Sequence, residues 1–165
     1  MNGAYPHLLV NHLPLLGTIF GILILGAGMV LRKDTVKQTG LCTLVFAALS
    51  SALALLTGDP AGEVVKTFPG ISESIVDYHE NMAYMSLWIL IPSGVLSAMA
   101  FYSIWKKEKA AKNLVIAAMA LSLLTAGMMS YVGKTGGQIR HSELRNQSAG
   151  TPAGQDTLQK SDENN

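Results

Sequence analysis

The sequence predicts an all-α protein, an integral membrane four-helix bundle, and three observations carry that prediction. Four apolar stretches occupy most of residues 1–132, and each can cross the hydrocarbon core of a bilayer as a helix. Of the 165 residues, 49% are hydrophobic and only 14% are charged, whereas about a quarter of the residues in soluble domains are charged. The stretches also lack the polar face that each helix of a soluble bundle presents to water. We therefore expect one transmembrane domain over residues 1–145.

The first two spans are joined by a short basic loop. The first span runs over about residues 13–31, an apolar run that contains several glycines. The second runs over about residues 39–57 and precedes Gly58-Asp59-Pro60, a combination that predicts the end of a helix. The recurrent glycine, alanine and serine residues of these spans are typical of membrane helices that pack closely together.

The third and fourth spans complete the predicted bundle. The third runs over about residues 82–105 and is interrupted at Pro92. The fourth runs over about residues 114–132 and is followed by Gly136-Gly137, a pair that permits a tight reversal of the chain. Residues 146–165 contain almost no apolar side chains, so we expect them to form a disordered polar tail.

The basic residues predict the orientation of the bundle in the membrane. Seven of the twelve Lys and Arg residues lie in the two short loops after the first and third spans: Arg32, Lys33, Lys37, Lys106, Lys107, Lys109 and Lys112. The positive-inside rule places these loops in the cytoplasm. Both termini and the loop over residues 58–78 then face outward. We expect a multi-pass protein of the bacterial inner membrane with this side in the periplasm.

All four histidines fall on the predicted outer side, each at or just beyond the end of a span: His7, His12, His79 and His141. Histidines scattered over the surface would fall on both sides about equally often. Imidazole binds Fe, Cu and Zn and titrates near neutral pH. The clustering therefore predicts a metal, haem or proton site at one membrane surface, with these four residues as the candidate ligands.

His7 and His12 lie five residues apart, which corresponds to about 140° of net rotation on a continuous helix. Their rings would then point to different faces and serve different partners or opposite sides of one site. Either Pro14 occupies the first helical position with Asn11 or His12 as the cap, or a helix begins near Pro6 and kinks at Pro14. The alternative is that both are interfacial histidines that hydrate a helix end.

His79 lies close to the predicted start of the third helix. Ser72 or Ser74 can cap that helix, which would begin about two turns before the membrane. Asp77 and Glu80 are near in sequence and could orient the imidazole through its second nitrogen. Alternatively, this is the ordinary charged surface of a helix end.

His141 follows the Gly136-Gly137 pair, so its segment could fold back over the outer mouth of the bundle. Arg140 beside it is a candidate partner for a carboxylate such as a haem propionate. The alternative is a histidine in a free tail without a ligand.

Other residue types offer few further chemistries. Met–His sites hold copper(I) or haem iron, although methionine is also an ordinary filler of apolar helices; the candidates are Met82, Met85, Met128 and Met129. Cys42 is the only cysteine, which excludes an intrachain disulfide and a CxxC motif. The sequence has no Ser-His-Asp arrangement, phosphate loop, HExxH motif or intramembrane carboxylate, and its net charge of +1 gives no basic field for nucleic acid. We therefore expect a cofactor-binding protein rather than a catalyst.

The histidine pattern resembles a known family. The segment HLLVNHLP, a histidine before the third span, and a Gly-Gly pair leading to a last histidine are similar to the bacterial four-helix membrane family named domain of unknown function 2231. The resemblance covers about residues 5–145, and the matching positions are His7, His12, Pro14, His79, Gly136, Gly137 and His141. It departs from the family pattern in that Pro6 precedes His7 instead of following it. The resemblance implies a membrane partner of an electron-transfer chain that binds haem b.

Together these features predict a small b-type cytochrome that carries one or two haem b groups at its outer face. The expected ligand pairs are His12 with His79 and His7 with His141, and Arg140 would lie near the propionates. The expected partners are membrane lipid and a c-type cytochrome or other respiratory redox protein. Quinol and a second copy of the chain are further candidate partners. A copper or zinc protein, or a structural subunit of a respiratory membrane complex, are the alternatives.

Overall fold

The computed structural model describes residues 4–141, which form five helices. These are α1 (Ala4–Val10), α2 (Leu13–Leu31), α3 (Asp34–Lys66), α4 (Glu73–Trp105) and α5 (Ala111–Arg140). The described part of the chain contains no strand, and four of its helical segments are long and apolar enough to cross a membrane. The predicted all-α membrane fold is therefore confirmed. The polar tail predicted over residues 146–165 lies outside the described residues.

Three helix breaks predicted from the sequence are absent. α3 continues through Gly58-Asp59-Pro60, and α4 continues through Pro92. Tertiary packing outweighs the local signal at Pro60, because the next two residues, Ala61 and Gly62, are buried against the rest of the bundle. α5 continues through Gly136-Gly137 to Arg140, so the predicted reversal is wrong.

The junction of α1 and α2 follows one of the two predicted arrangements. Residues 11–12 form a turn, His12 is the N-cap residue of α2, and Pro14 lies in the first turn of that helix. The helix therefore begins anew after the turn instead of kinking at Pro14. α1 packs on α3, and none of its described residues is buried.

The helices pack as two antiparallel hairpins, α2–α3 and α4–α5, with α3 against α4 and a smaller contact between α2 and α5. Glycine permits the closest approach in the first hairpin. A Cβ atom added to Gly40 would lie 2.7 Å from the Cα atom of Leu25. In the second hairpin, the hydroxyl groups of Ser93 and Ser122 form a hydrogen bond of 3.1 Å in the buried interface.

Antiparallel packing gives the bundle two chemically different ends. A helix of 33 residues, the length of α3 and of α4, is about 50 Å long, whereas the hydrocarbon core is about 30 Å thick. α3 and α4 therefore extend beyond the hydrocarbon core. One end, named the histidine end, contains residues 4–12, 54–82 and 129–141. The opposite end, named the basic end, contains the two short turns, with residues 29–37 and 104–116.

A candidate cofactor site at the histidine end

His7 projects from α1 onto α3, where its Nδ1 atom lies 3.0 Å from the Ala54 carbonyl oxygen and 3.2 Å from the Thr57 hydroxyl. A carbonyl oxygen only accepts hydrogen bonds, so Nδ1 carries the proton and donates it. The Thr57 hydroxyl donates in turn to the Leu53 carbonyl at 2.8 Å. The hydrogen bonds therefore select the Nδ1–H tautomer of His7. The Nε2 lone pair remains available to bind a metal ion.

His79 is held in the same way on the other hairpin. It projects from α4 onto α5, and its Nδ1 atom lies 2.9 Å from the Thr135 hydroxyl. That hydroxyl donates to the Val132 carbonyl at 2.8 Å, so it accepts the proton on Nδ1. Its Nε2 atom, like that of His7, keeps a lone pair.

A Thr-Gly dipeptide accompanies each imidazole. Thr57-Gly58 on α3 faces His7, and Thr135-Gly136 on α5 faces His79. A Cβ atom added to Gly58 would lie 3.6 Å from His7 Cε1, and one added to Gly136 would lie 3.0 Å from His79 Cε1. Gly136 thus leaves room for the His79 ring, whereas a Cβ atom at position 58 would make only an ordinary contact with the His7 ring.

The structure holds the rings of His7 and His79 on neighbouring helices by hydrogen bonds, and it leaves the other two histidines exposed. Both hydrogen-bonded rings are partly buried. His12 is an exposed N-cap residue without a side-chain capping hydrogen bond. His141 is the exposed C-cap residue of α5. The pairs expected from the sequence, His12 with His79 and His7 with His141, stay predictions; the two histidines that hydrogen bonds hold are His7 and His79.

The acidic residues near His79 have another partner. Sequence proximity suggested that Asp77 or Glu80 orients the imidazole, but Thr135 does so. Lys66, at the end of α3 beyond its apolar segment, donates to Asp77 at 2.8 Å and to Glu63 at 3.2 Å, and its ammonium nitrogen lies 4.0 Å from a Glu80 oxygen. The hydrogen bonds to Asp77 and Glu63 raise the pKa of the Lys66 ammonium above its usual value. This ion-pair cluster ties α3 to α4 beside the imidazoles.

Three further features belong to this end of the bundle. The Asn11 side-chain oxygen is buried and finds no hydrogen-bond partner among residues 4–141. Buried side-chain amide oxygens usually have a hydrogen-bond partner in folded proteins. Arg140, the predicted partner of a propionate, is exposed in the last turn of α5. Of the candidate methionines, Met129 is buried and Met85 is exposed.

Comparison with known proteins places the chain in a family. The model of a family described as predicted membrane protein (DUF2231) matches residues 6–143. The chain belongs to the DUF2231 family. The matched range contains all four histidines and the Thr57-Gly58 and Thr135-Gly136 dipeptides. No curated protein and no solved structure matches the chain.

The donor set of this DUF2231 protein restricts the ions that it can hold. Among residues 4–141, no three His, Cys, Asp or Glu side chains lie together in an arrangement that could hold a metal ion. Zinc sites in proteins usually have three or four protein ligands, whereas a haem iron needs only one or two axial ligands. Two imidazoles whose Nε2 atoms keep a lone pair are enough for one or two axial ligands.

The sequence analysis singled out His7 and His79 among its candidates. It missed the groups that hold their rings, namely Ala54, Thr57 and Thr135. Threonine on a membrane helix normally bonds to its own backbone, and nothing local indicates that it also accepts from a ring on another helix. One signal was available. A Thr-Gly dipeptide occurs at the outer ends of the second and fourth spans, although Thr39-Gly40 repeats it at the opposite end of the second span.

Proposed function

We propose that this membrane protein is a small b-type cytochrome that binds one haem b through His7 and His79. The proposal rests on the observation that both imidazoles have the same hydrogen-bonding arrangement. Each donates from Nδ1 to a helix, and each keeps an Nε2 lone pair at the same end of the bundle. Hydrogen bonding of the second ring nitrogen is the usual support of a metal-ligating histidine.

The protein's own residues would perform three tasks. Thr57 and Thr135, with the Ala54 carbonyl, hold the ring orientation and the tautomer. Their hydrogen bonds also raise the basicity of Nε2. Arg140 supplies a positive charge at the end of the bundle, where a carboxylate would be solvated. Bound haem would supply a one-electron redox couple, whose potential depends on these surroundings.

The location supports electron transfer as the role. An imidazole pair at the end of a membrane bundle lies within reach of both membrane-soluble and water-soluble redox partners. We propose a c-type cytochrome or another respiratory redox protein as the partner, with quinol as a possible membrane-side donor. The concentration of basic residues at the opposite end favours the periplasmic side of a bacterial inner membrane for the histidine end.

The decisive experiment is a reduced-minus-oxidised absorption spectrum of the detergent-purified protein, with a pyridine haemochrome assay for stoichiometry. The expected result is a low-spin b-type spectrum with about one haem per chain, the number that one pair of axial imidazoles serves. His7→Ala and His79→Ala should each convert the spectrum to a high-spin form or abolish it. His12→Ala and His141→Ala are matched controls, and both should keep the low-spin spectrum.

Two outcomes would reject the proposal. A colourless protein from haem-sufficient cells would exclude a cytochrome. An unchanged spectrum in the His7→Ala/His79→Ala double variant would exclude this ligand pair.

Copper or zinc binding is the second candidate, since methionines lie on α4 and α5 at the histidine end and could add soft ligands to the two imidazoles. It predicts a colourless or weakly coloured protein whose metal content, measured by mass spectrometry of the elements, falls in the His7→Ala and His79→Ala variants. A structural subunit predicts no bound metal in any variant. In that case the two histidines serve only as hydrogen-bonded ties between helices.

A further inference from the structure

We infer that the basic end contains a binding site for an anionic phospholipid. A cavity of about 610 Å³ opens between the turn that joins α2 to α3 and the turn that joins α4 to α5. Its inner wall is apolar and includes Met29, Ile104 and Val115. This inference is independent of the haem proposal, because it concerns the opposite end of the bundle.

The rim of the cavity is strongly positive. Five basic residues line it: Arg32, Lys37, Lys107, Lys109 and Lys112. Two carboxylates, those of Asp34 and Glu108, oppose them, and the Asp34 carboxylate already pairs with Lys37 at 2.9 Å. The rim therefore keeps an excess of positive charge, and a negatively charged group would neutralise it.

The backbone at the two turns adds a second observation. Among residues 4–141, Arg32 and Lys107 are the only non-glycine residues with a positive φ, at 54° and 55°. Glycine adopts this left-handed conformation with the least strain and commonly ends helices in it. Both turns nevertheless carry a basic residue there, and both of these residues line the same cavity. The two left-handed residues therefore both contribute positive charge to the rim.

The combination of an apolar wall and a cationic rim favours a phospholipid over a free anion. Ile116 lines the cavity and is 47% exposed on the outer surface of the bundle, so the cavity communicates with the region that lipid tails occupy. A phosphate at the rim with acyl chains along the apolar wall satisfies both surfaces. Basic pockets between transmembrane helices bind anionic headgroups by this chemistry.

The test is a titration of the purified full-length protein with phosphatidylglycerol, followed by native mass spectrometry, with phosphatidylcholine as the zwitterionic comparison. The expected result is tighter binding of phosphatidylglycerol. The Lys109→Gln/Lys112→Gln variant should bind it about tenfold or more weakly, because each lost cation near an anionic headgroup contributes to affinity.

The chain provides a matched control. Lys33 and Lys106 lie in the same two turns but do not line the cavity. The Lys33→Gln/Lys106→Gln variant has the same net charge as the first variant and should bind phosphatidylglycerol like the unmodified protein. Glu108→Gln removes an opposing carboxylate from the rim, and we expect it to tighten binding.

Three results would overturn the inference. Equal weakening in the two lysine variants would mean that surface charge, not the cavity, attracts the lipid. Equal binding of phosphatidylcholine would exclude a requirement for an anionic headgroup. Displacement of the lipid by excess inorganic phosphate would identify a free-anion site instead. Size-exclusion profiles of both variants test that each is folded, and Glu108→Gln tests the charge argument in the opposite direction.

Discussion

Each hairpin of the bundle holds one imidazole through a hydrogen bond between its Nδ1 atom and a threonine hydroxyl. The helices that carry the two histidines are supported in different ways. His79 lies within α4, a continuous helix of 33 residues, and the Lys66 ion pairs hold the surrounding segment against α3. His7 lies on α1, a helix of seven residues that contains no buried residue and is separated from α2 by a turn. Helix rigidity positions His79, whereas the hydrogen bonds to α3 are a main restraint on His7.

The hairpins also differ in how their helices approach each other. α2 and α3 pack through glycine, as at Gly40 against Leu25, whereas α4 and α5 are joined by the buried Ser93–Ser122 hydrogen bond. Close backbone approach and interhelical hydrogen bonding are alternative means of associating membrane helices, because the hydrophobic effect does not drive association within lipid. The comparison shows that two helix hairpins of the same architecture can be held together by different means, close backbone approach in one and a buried hydrogen bond in the other.

The largest expected effect comes from removing the hydrogen-bond partners of the imidazoles. Thr57→Val and Thr135→Val keep the side-chain shape but delete the hydroxyl that accepts from Nδ1. Loss of such a partner typically weakens metal binding by about 10–100-fold. We expect this loss of haem affinity for Thr135→Val and a smaller loss for Thr57→Val, because the Ala54 carbonyl still accepts from His7 Nδ1 at 3.0 Å. Titration of the haem-free protein measures both affinities.

Thr125→Val is the control for this experiment, because its hydroxyl bonds only to the Leu121 carbonyl of its own helix in the described contacts. It should leave haem affinity unchanged. If Thr57→Val and Thr135→Val behaved like this control, the two threonines would have no role in orienting the rings.

The next effect tests the glycine packing of the first hairpin. In Gly40→Ala, the new Cβ atom would lie 2.7 Å from Leu25 Cα and 2.8 Å from Leu25 Cβ, so α2 and α3 must separate. Overpacking of this kind costs about 1–3 kcal/mol. We expect that loss in the free energy of unfolding, measured by denaturant titration in detergent.

Gly127→Ala provides the comparison in the second hairpin. No atom lies within 4 Å of the added Cβ at Gly127, and alanine has the higher helix propensity in soluble hosts. We expect unchanged or slightly increased stability. Equal destabilisation by Gly40→Ala and Gly127→Ala would contradict the account of close packing between α2 and α3.

The smallest effect distinguishes the two Thr-Gly sites. In Gly136→Ala, the Cβ atom would lie 3.0 Å from His79 Cε1 and must displace the ring slightly, whereas the corresponding distance at Gly58 is an ordinary contact of 3.6 Å from His7 Cε1. We expect about threefold weaker haem binding for Gly136→Ala, since about 0.6 kcal/mol corresponds to that ratio. Gly58→Ala should bind haem like the unmodified protein, and equal losses would mean that the two rings are equally confined.

Much of the architecture follows from the sequence. The four apolar runs require helices because lipid offers no partner for free backbone groups, and the basic clusters mark the two short turns at one end. The placement of His7 and His79 at the opposite end follows from the alternating direction of the helices. Local signals failed where packing opposed them. Pro60 and Gly136-Gly137 were predicted to end helices, but α3 continues through Pro60, whose next two residues are buried, and α5 continues through Gly136-Gly137.

The sequence by itself determined that this is a helical membrane protein and that its histidines lie at one end, because hydrophobicity and chain direction are properties of consecutive residues. Only the tertiary structure decided that the His7 ring is held by Thr57 and the His79 ring by Thr135. The physical reason is that these contacts join residues about fifty positions apart on different helices. Which ring faces which hydroxyl depends on helix rotation and interhelical packing, and neither is written in the local pattern of residues.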